Sequence, residues 1–165
     1  MAAGRKNQLT KQIGEYLVAA ELCRRGLIAT TFTGNVPDFD IIATNEKFET
    51  IPIQVKTIRG GDWQFDANKF INIAIDDGVQ RVIDRTSLPN PDLICIFVCL
   101  ISQGDDEFYI FRLRDLQEII FEGYSQYLTK INGVRPRNAN STHISVNPEN
   151  LIKFKDNWDL ISNHK

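Results

Sequence analysis

Two neighbouring apolar segments within residues 34–56 carry polar side chains where a buried strand would have none. Asp38 and Asp40 enter the first segment, and Gln54 and Lys56 lie inside the second. Because side chains alternate between the two faces of a strand, each pair is predicted to share one face. Such residues suit phosphodiester hydrolysis. Mg²⁺ prefers oxygen ligands, and a nearby lysine can orient water or offset charge that develops on phosphate.

Each of these residues also has an ordinary structural explanation. Asp38 can shape a turn after Pro37, since aspartate is common in turns. A lysine such as Lys56 on the polar face of an edge strand often only discourages edge-to-edge pairing. The chemical interpretation therefore depends on the residues acting together.

Other chemistries find little support in the sequence. Its two histidines are too few for a histidine-rich metal site, and it contains no nucleophile elbow and no phosphate-cradling glycine motif. Three unpaired cysteines, with no signal peptide or membrane-length apolar run, lead us to expect reduced core cysteines in a cytoplasmic protein. The net charge of −2 means that any nucleic-acid surface must be local.

The elements that must position these residues are predicted from periodicity. The 165 residues are expected to form a single α/β domain over 1–165. A helix is predicted over 8–26, with Gly26 just past its end. Its apolar stripe is predicted to be Leu9, Ile13, Leu17 and Ala20, widened by Val18, Ala19 and Leu22. Glu15 borders this stripe, where a solvated edge glutamate is the ordinary explanation.

The rest of the chain is predicted to supply strands and a second long helix. Strands are predicted over residues 27–32, 39–44, 50–58, 70–75, 93–101 and 107–112. Residues 59–65 are predicted as a flexible loop, 79–85 as a helical turn or two, and 132–147 as polar turns. The second helix is predicted over 113–131, and a last short helix between 148 and 161. The buried stripe of the second helix is predicted to be Leu116, Ile119, Ile120, Tyr124, Tyr127 and Leu128.

These residues resemble a known family of enzymes. The run PDFDIIA at 37–43, followed by QVK at 54–56, is similar to the signature of the PD-(D/E)XK nuclease superfamily, which includes restriction endonucleases. The helix that carries Glu15 resembles the first helix of that family. The resemblance covers residues 8–58 well. It implies a restriction-endonuclease-like core, in which helices flank a central mixed β-sheet in the order αβββαβ.

The resemblance also implies roles for single residues. Asp40 would be the principal metal ligand, with Asp38 the less favoured alternative. Glu15 would add a helix acid near the metal or its water, and Lys56 would be the catalytic lysine. Gln54 stands where the family usually has an acid; its amide oxygen can still bind a metal, and some restriction-type branches resemble this QxK variant. The implied cofactor is Mg²⁺, with Mn²⁺ as a substitute.

A chain of this family would be a metal-dependent endonuclease that hydrolyses DNA. We expect a homodimer, because two strands must be cut. Expected DNA contacts are Lys11, Thr57, Arg59, Trp63, Arg135 and Arg137. Two alternatives stay open: a catalytically inactive nucleic-acid-binding protein that retains the fold, and a regulatory protein without a nucleic-acid role. The first follows from Gln54, which removes one negative charge from the metal site.

Overall fold

Helices and strands occupy most of the chain that the computed structural model describes, residues 3–32 and 37–162. In chain order the elements are α1 (Ala3–Arg24), β1 (Ile28–Thr31), β2 (Ile41–Thr44), β3 (Thr50–Ile58), β4 (Trp63–Asp66), β5 (Ile71–Asp76), β6 (Val79–Arg85), β7 (Ile94–Cys99), β8 (Glu107–Arg112), α2 (Leu113–Lys130), β9 (His143–Val146) and α3 (Asp159–Ser162). Two 3-10 helices, Ala67–Lys69 and Pro148–Phe154, complete the list.

Contacts group these elements into two compact units. Unit 1 comprises residues 1–61, 93–112 and 151–165, and unit 2 comprises 62–92 and 113–150. Each unit therefore draws on separated parts of the chain. The single domain expected over 1–165 stays a prediction.

Unit 1 is built on a five-stranded mixed sheet in the order β1-β2-β3-β7-β8. The first three strands are antiparallel to one another, β3 and β7 are parallel, and β7 and β8 are antiparallel. The hairpin of β2 and β3 lies where the sequence predicts it, and β3 has the predicted bounds. The α/β class with a central mixed sheet is confirmed.

One face of this sheet forms an apolar core with α1. Ile51, Ile53 and Val55 of β3 are buried, as the alternation predicts, and they share a core cluster with Val18 and Leu22 of α1. Burying one such aliphatic side chain contributes roughly 1.5–3 kcal/mol. This cluster fixes α1 against the face of β3 opposite Gln54 and Lys56.

The apolar stripe predicted for α1 is confirmed for Val18 and Leu22, which are buried, and is wrong for Leu9 and Ala20, which are exposed. Leu9 is 40% exposed, whereas the face against the sheet is formed by Thr10, Gly14, Val18 and Leu22. A methyl group on Gly14 would lie 1.8 Å from the hydroxyl oxygen of Thr57, so the helix approaches the sheet through its small residues. Close approach, and not hydrophobicity alone, sets which face is buried.

The end of α1 follows the prediction more closely. The helix ends at Arg24, and Gly26 has a φ of 83°, a conformation that glycine adopts without strain. The amide of Gly26 donates to the carbonyl of Cys23 at 3.0 Å, and that of Leu27 donates to Leu22 at 3.1 Å. These bonds satisfy carbonyls that the helix end would otherwise leave open.

Unit 2 contains two short sheets and α2. Residues 79–85, predicted as helical turns, instead form β6, which pairs antiparallel with β5. The two strands are joined by Asp77 and Gly78, whose φ values of 47° and 77° are those of a tight hairpin turn. An Asp-Gly pair between apolar strands is a strong hairpin signal, so this element could have been predicted.

The second sheet of unit 2 pairs β4 with β9. The sequence predicts a loop at 59–65 and polar turns at 132–147, so both strands correct the prediction. Helix α2 follows its prediction: Leu116, Ile120, Tyr124 and Leu128 are buried, while Ile119 and Tyr127 are half-buried.

Two expectations of the sequence concern the environment of the chain. Within the described ranges, no helix is both long enough and apolar enough to span a bilayer. Cys95 and Cys99 are buried core thiols as expected, but Cys23 is exposed, so the expectation is wrong for that residue.

Candidate active site

Asp40 lies where the pairing of β2 with β3 ends. Its amide donates to the carbonyl of Ile53 at 2.8 Å, although Ile53 is the register partner of Ile41, so the ladder is irregular at this residue. The side-chain Oδ2 of Asp40 accepts from the amide of Val55 at 2.8 Å. Because strand amides point toward the neighbouring strand, the Asp40 carboxylate is held beside β3, close to the plane of the sheet.

Glu15 and Asp40 converge on a single lysine. Lys11 Nζ lies 3.1 Å from Asp40 Oδ1 and 3.5 Å from Glu15 Oε1. The two carboxyl side chains are only 14% (Glu15) and 16% (Asp40) exposed, whereas the Lys11 side chain is 55% exposed. Two acids from distant parts of the sequence therefore share one cation at the surface end of a largely buried site.

The electrostatics of this cluster favour a bound cation. Burial raises the pKa of Glu15, the Lys11 ammonium lowers it, and the neighbouring Asp40 raises it again, so that the net shift is upward. Burial lowers the pKa of Lys11, but its contacts with Asp40 and Glu15 outweigh that effect and raise it. Two carboxyl groups of low exposure that already hold an ammonium ion are suited to a positive ligand.

Gln54 and Lys56 lie on the face of β3 opposite Val55, whereas α1 packs against the face that carries Val55. The register of β2 with β3 begins with Ile41 opposite Ile53, and Asp40 precedes it. Because the amide of Asp40 also donates to the carbonyl of Ile53, Asp40 is out of register with Gln54 and is not its ladder partner. A site that Glu15 and Asp40 share with Gln54 and Lys56 stays a prediction.

Asp38 does not share a strand face with Asp40. β2 begins at Ile41, which shortens the predicted strand, and Asp38 is an exposed turn residue with a φ of 72°. Aspartate tolerates this left-handed conformation better than most residues. The structure thus favours the turn-forming explanation for Asp38 and leaves Asp40 as the acid of the hairpin.

The donors present suit a hard divalent ion. Two carboxylates, Glu15 and Asp40, and the amide oxygen of Gln54 are all oxygen ligands of the kind that Mg²⁺ or Mn²⁺ takes. Within residues 3–32 and 37–162, no three His, Cys, Asp or Glu side chains cluster as metal ligands. A metal here would depend on the amide of Gln54 and on water to complete its shell.

The predicted DNA contacts of unit 1 have different environments. Lys11 is engaged by the two acids, and Arg59 Nε donates to the hydroxyl of Thr10 at 3.0 Å. The hydroxyl of Thr57 is buried against Gly14 and has no hydrogen-bond partner within the described ranges. Of these three predicted contacts, only Arg59 has an exposed charge that is not paired with an acid within the described ranges.

The other three predicted contacts belong to unit 2. Trp63 lies in β4, not in a loop, and is 3% exposed, so its side chain offers little surface to a ligand. Arg135 donates to the hydroxyl of Tyr124 at 3.1 Å and to the carbonyl of His143 at 2.9 Å. Arg137 is exposed. Contacts of these residues with DNA stay predictions.

The position of Lys11 between Glu15 and Asp40 is not among the features predicted from the sequence. Lys11 was expected to contact DNA, whereas it forms ion pairs with Glu15 and Asp40. The sequence contains one signal for this ion pair: Lys11 and Glu15 are four residues apart on one helix, and residues at that spacing lie on the same face.

The raised pKa of Glu15 gives a pH dependence. Above the ordinary value of 4.5 and up to the raised value, the folded state binds more protons than the unfolded state. The free energy of unfolding contributed by Glu15 therefore falls as pH rises through this window. We expect Glu15→Gln to gain stability relative to the unmodified protein as pH rises from the ordinary pKa of 4.5 through the raised pKa of Glu15.

Urea unfolding of both proteins at several pH values measures that difference. Loss of the Glu15 contact with Lys11 adds an offset between the two proteins in the free energy of unfolding, and this offset varies little with pH in this range. The informative quantity is therefore the slope of the stability difference against pH. Glu49→Gln, on the exposed turn between β2 and β3, serves as the matched control. A difference that is flat with pH would contradict the prediction.

Comparison with known proteins finds distant likeness among solved structures only. The sequence matches no protein-family model and no curated protein. Among solved structures, the chain is similar to a bacterial homing endonuclease, I-Ssp6803I, with 14% identity and a TM-score of 0.47, over 93% of this chain and 91% of that chain. Similarity at this level does not show a shared fold, so we base the function on the side chains described above.

Proposed function

We propose that this chain is a metal-dependent DNA endonuclease of the PD-(D/E)XK type, in the QxK variant. The observation that carries the proposal is the convergence of Asp40 and Glu15 on one cation beside the β2–β3 hairpin. Partial support comes from the start of unit 1, where a helix is followed by three antiparallel strands and a parallel fourth strand joins the sheet. The order αβββαβ would place a helix before that fourth strand, whereas the described residues between β3 and β7 form β4, β5 and β6 and no α-helix, and α2 follows β8.

In this proposal Asp40, Glu15 and Gln54 hold Mg²⁺, and Mn²⁺ can replace it. The ion, when bound, polarises the scissile phosphate and lowers the pKa of the attacking water. Asp40 is oriented by the amide of Val55, which leaves Oδ1 for the ion. Lys56, two residues after Gln54 on the same strand face, orients the water and offsets the charge that develops on the phosphate.

One observation favours the non-cleaving alternative. Lys11 already forms ion pairs with both acids and offsets one of their two negative charges, and Gln54 supplies no charge of its own, so the cluster holds a cation without a metal. A protein of that kind would bind nucleic acid and not cut it. Cleavage requires Lys11 to release the carboxylates.

Incubation with supercoiled plasmid in Mg²⁺ or Mn²⁺ separates these functions. Nicked or linear product that disappears when the ions are chelated supports the endonuclease. Retention of DNA at low salt with no product supports the binding protein. A chain that neither cuts nor retains DNA would contradict both, and would leave the regulatory role.

Gln54 is expected to limit the affinity for metal. Gln54→Glu restores a charged ligand beside Asp40, and we expect it to tighten Mn²⁺ binding about tenfold, since ligand charge tunes the affinity of such sites. Isothermal titration with Mn²⁺ in the absence of DNA measures the change. Gln126→Glu, on an exposed position of α2, adds the same charge elsewhere. Equal changes in the two variants would mean that Gln54 is not a ligand.

The proposal includes a homodimer, because one site cuts one strand and duplex cleavage needs two. Sedimentation of the purified protein tests this part directly. The contacts proposed with DNA are Lys11 once released, Thr57, Arg59, Arg135 and Arg137; buried Trp63 is left out.

A further inference from the structure

A polar pocket lies between the first half of α1 and the end of β3. It is open to solvent, has a volume of about 320 Å³ and lies entirely within unit 1. Its lining residues are Lys6, Asn7, Thr10, Thr57, Ile58, Arg59 and Gly60. The pocket has room for a ligand larger than a few water molecules, and most of its lining can donate hydrogen bonds.

The charge of this lining has one sign. Lys6 and Arg59 line the pocket, and no acidic residue does. Neither of these cations forms an ion pair with any residue of the described ranges. This contrasts with Lys11, whose charge is taken by Glu15 and Asp40. The pocket therefore has positive charge without an internal counter-ion, as an anion-binding site requires.

The arginine of the pocket is held in position. Its Nε donates to the hydroxyl of Thr10 at 3.0 Å, and that hydroxyl in turn donates to the carbonyl of Lys6 at 3.0 Å. This arrangement uses one donor of the guanidinium and leaves its terminal nitrogens for a ligand. A fixed guanidinium is well matched to the paired oxygens of a phosphate group.

Two other lining residues have no side-chain group for the ligand. The hydroxyl of Thr57 is buried against Gly14 and is not among the donors proposed for a ligand. Gly60 has a φ of 75° and open space where a side chain would begin, so it leaves room at its side of the pocket.

We propose that this pocket binds one phosphate group, through Lys6 and the terminal nitrogens of Arg59. On the proposed endonuclease function, on which this step rests, the bound group is a phosphodiester of DNA. The pocket would then hold the DNA strand at a distance from Glu15 and Asp40. Val55, beside Asp40, and Arg59 are roughly 13 Å apart along the strand direction. Since a DNA strand advances about 3.4 Å per phosphate along its axis, the pocket would bind a phosphate a few nucleotides from the cleaved one.

The salt dependence of DNA binding tests the pocket. Binding of a duplex oligonucleotide is measured with chelator present, so that no cleavage occurs, at several salt concentrations. Arg59→Met and Lys6→Met should each reduce the slope of log affinity against log salt by up to about 0.9, the value for one lost phosphate contact. Each should weaken binding several-fold at low salt. Lys47→Met, on an exposed turn of unit 1, is the matched control and should change neither value beyond a small general effect of charge.

A second measurement separates this pocket from the function on which it rests. Inorganic phosphate is titrated against the protein and followed by phosphorus NMR. We expect line broadening with the unmodified protein and with Lys47→Met, and loss of it in the two pocket variants. Thermal unfolding checks that each variant is folded, and two independent pocket variants are used in case one is not.

The outcomes distinguish the two proposals. Reduced slopes in both pocket variants support a DNA phosphate in the pocket. Phosphate broadening that depends on Arg59, with no DNA binding in chelator and no plasmid cleavage in Mg²⁺ or Mn²⁺, supports the pocket for free phosphate and overturns the endonuclease. DNA binding with unchanged slopes overturns the pocket and leaves the endonuclease standing. If neither DNA nor phosphate binds, both proposals are overturned.

Discussion

Asp40→Asn is expected to lower metal-dependent DNA cleavage by about a thousandfold, equivalent to ~4 kcal/mol of transition-state stabilisation. The amide oxygen of the new side chain can still accept from the amide of Val55, which now donates to Asp40 at 2.8 Å. What is lost is the charge that would hold the metal. We therefore expect the melting temperature to change little while cleavage of plasmid is lost.

Asp38→Asn is the matched control for this prediction. Asp38 is two residues from Asp40, and its replacement by asparagine removes the same charge. It lies in a left-handed turn that asparagine also tolerates. Its cleavage rate should stay within a few-fold of that of the unmodified protein. If Asp38→Asn lost activity and Asp40→Asn kept it, the metal ligand would have been assigned to the wrong aspartate. Lys56→Met separately tests the lysine, with an expected loss of about 10²–10⁴-fold.

The second large effect concerns stability. Gly14→Ala is expected to lower the free energy of unfolding by about 2–3 kcal/mol, near the upper end for overpacking a close contact. A methyl group at this position would lie 1.8 Å from the Oγ1 of Thr57 and 2.8 Å from its Cβ, so α1 must move away from β3. Denaturant unfolding measures the loss.

Gly4→Ala in the same helix provides the control. A methyl group on Gly4 meets nothing within 4 Å, so the variant should be unchanged or up to ~1 kcal/mol more stable. In the Gly14→Ala background, Thr57→Ala removes the side-chain atoms at 1.8 and 2.9 Å and should recover part of the loss. Without any recovery, the clash with Thr57 would not be the cause.

Local patterns in the sequence were sufficient for part of the fold. Strand β3 has the predicted bounds because its apolar and polar residues alternate over nine residues, which only a half-buried strand explains. β8 and α2 were predicted to within one residue for the same reason, namely a strong period over a sufficient length. Gly26 identified the end of α1 because glycine favours the left-handed conformation there.

The missed elements depend on partners that a local pattern does not show. β4 is stabilised by pairing with β9, in which Gln64 is opposite Ser145, and neither strand shows a long alternation of its own. The grouping of the chain into two units arises from contacts between distant segments. The buried face of α1 is predicted only at Val18 and Leu22; Thr10 and Gly14 are missed because they are not hydrophobic, although they allow the closest approach to the sheet.

The sequence predicts which residues belong to the candidate site better than it predicts how they are arranged. Asp40, Gln54 and Lys56 are identified by type and spacing, whereas the register of β2 with β3 ends at Ile41 and Ile53 and does not pair Asp40 with Gln54. That Glu15 would come near Asp40 depended on how α1 lies on the sheet, which the sequence does not reveal. The shared lysine between them follows from that packing.

Lys11 also makes metal binding and DNA binding reciprocal in this proposal. While Lys11 holds Asp40 and Glu15, its charge is not available to a phosphate. Releasing it exposes a cation beside the place where the DNA backbone would lie. If metal binding raises DNA affinity by some factor through this release, DNA binding must raise metal affinity by the same factor, because both ligands share one coupling free energy. Substrate would thus help to load the site that cuts it, and Lys11→Met would uncouple the two.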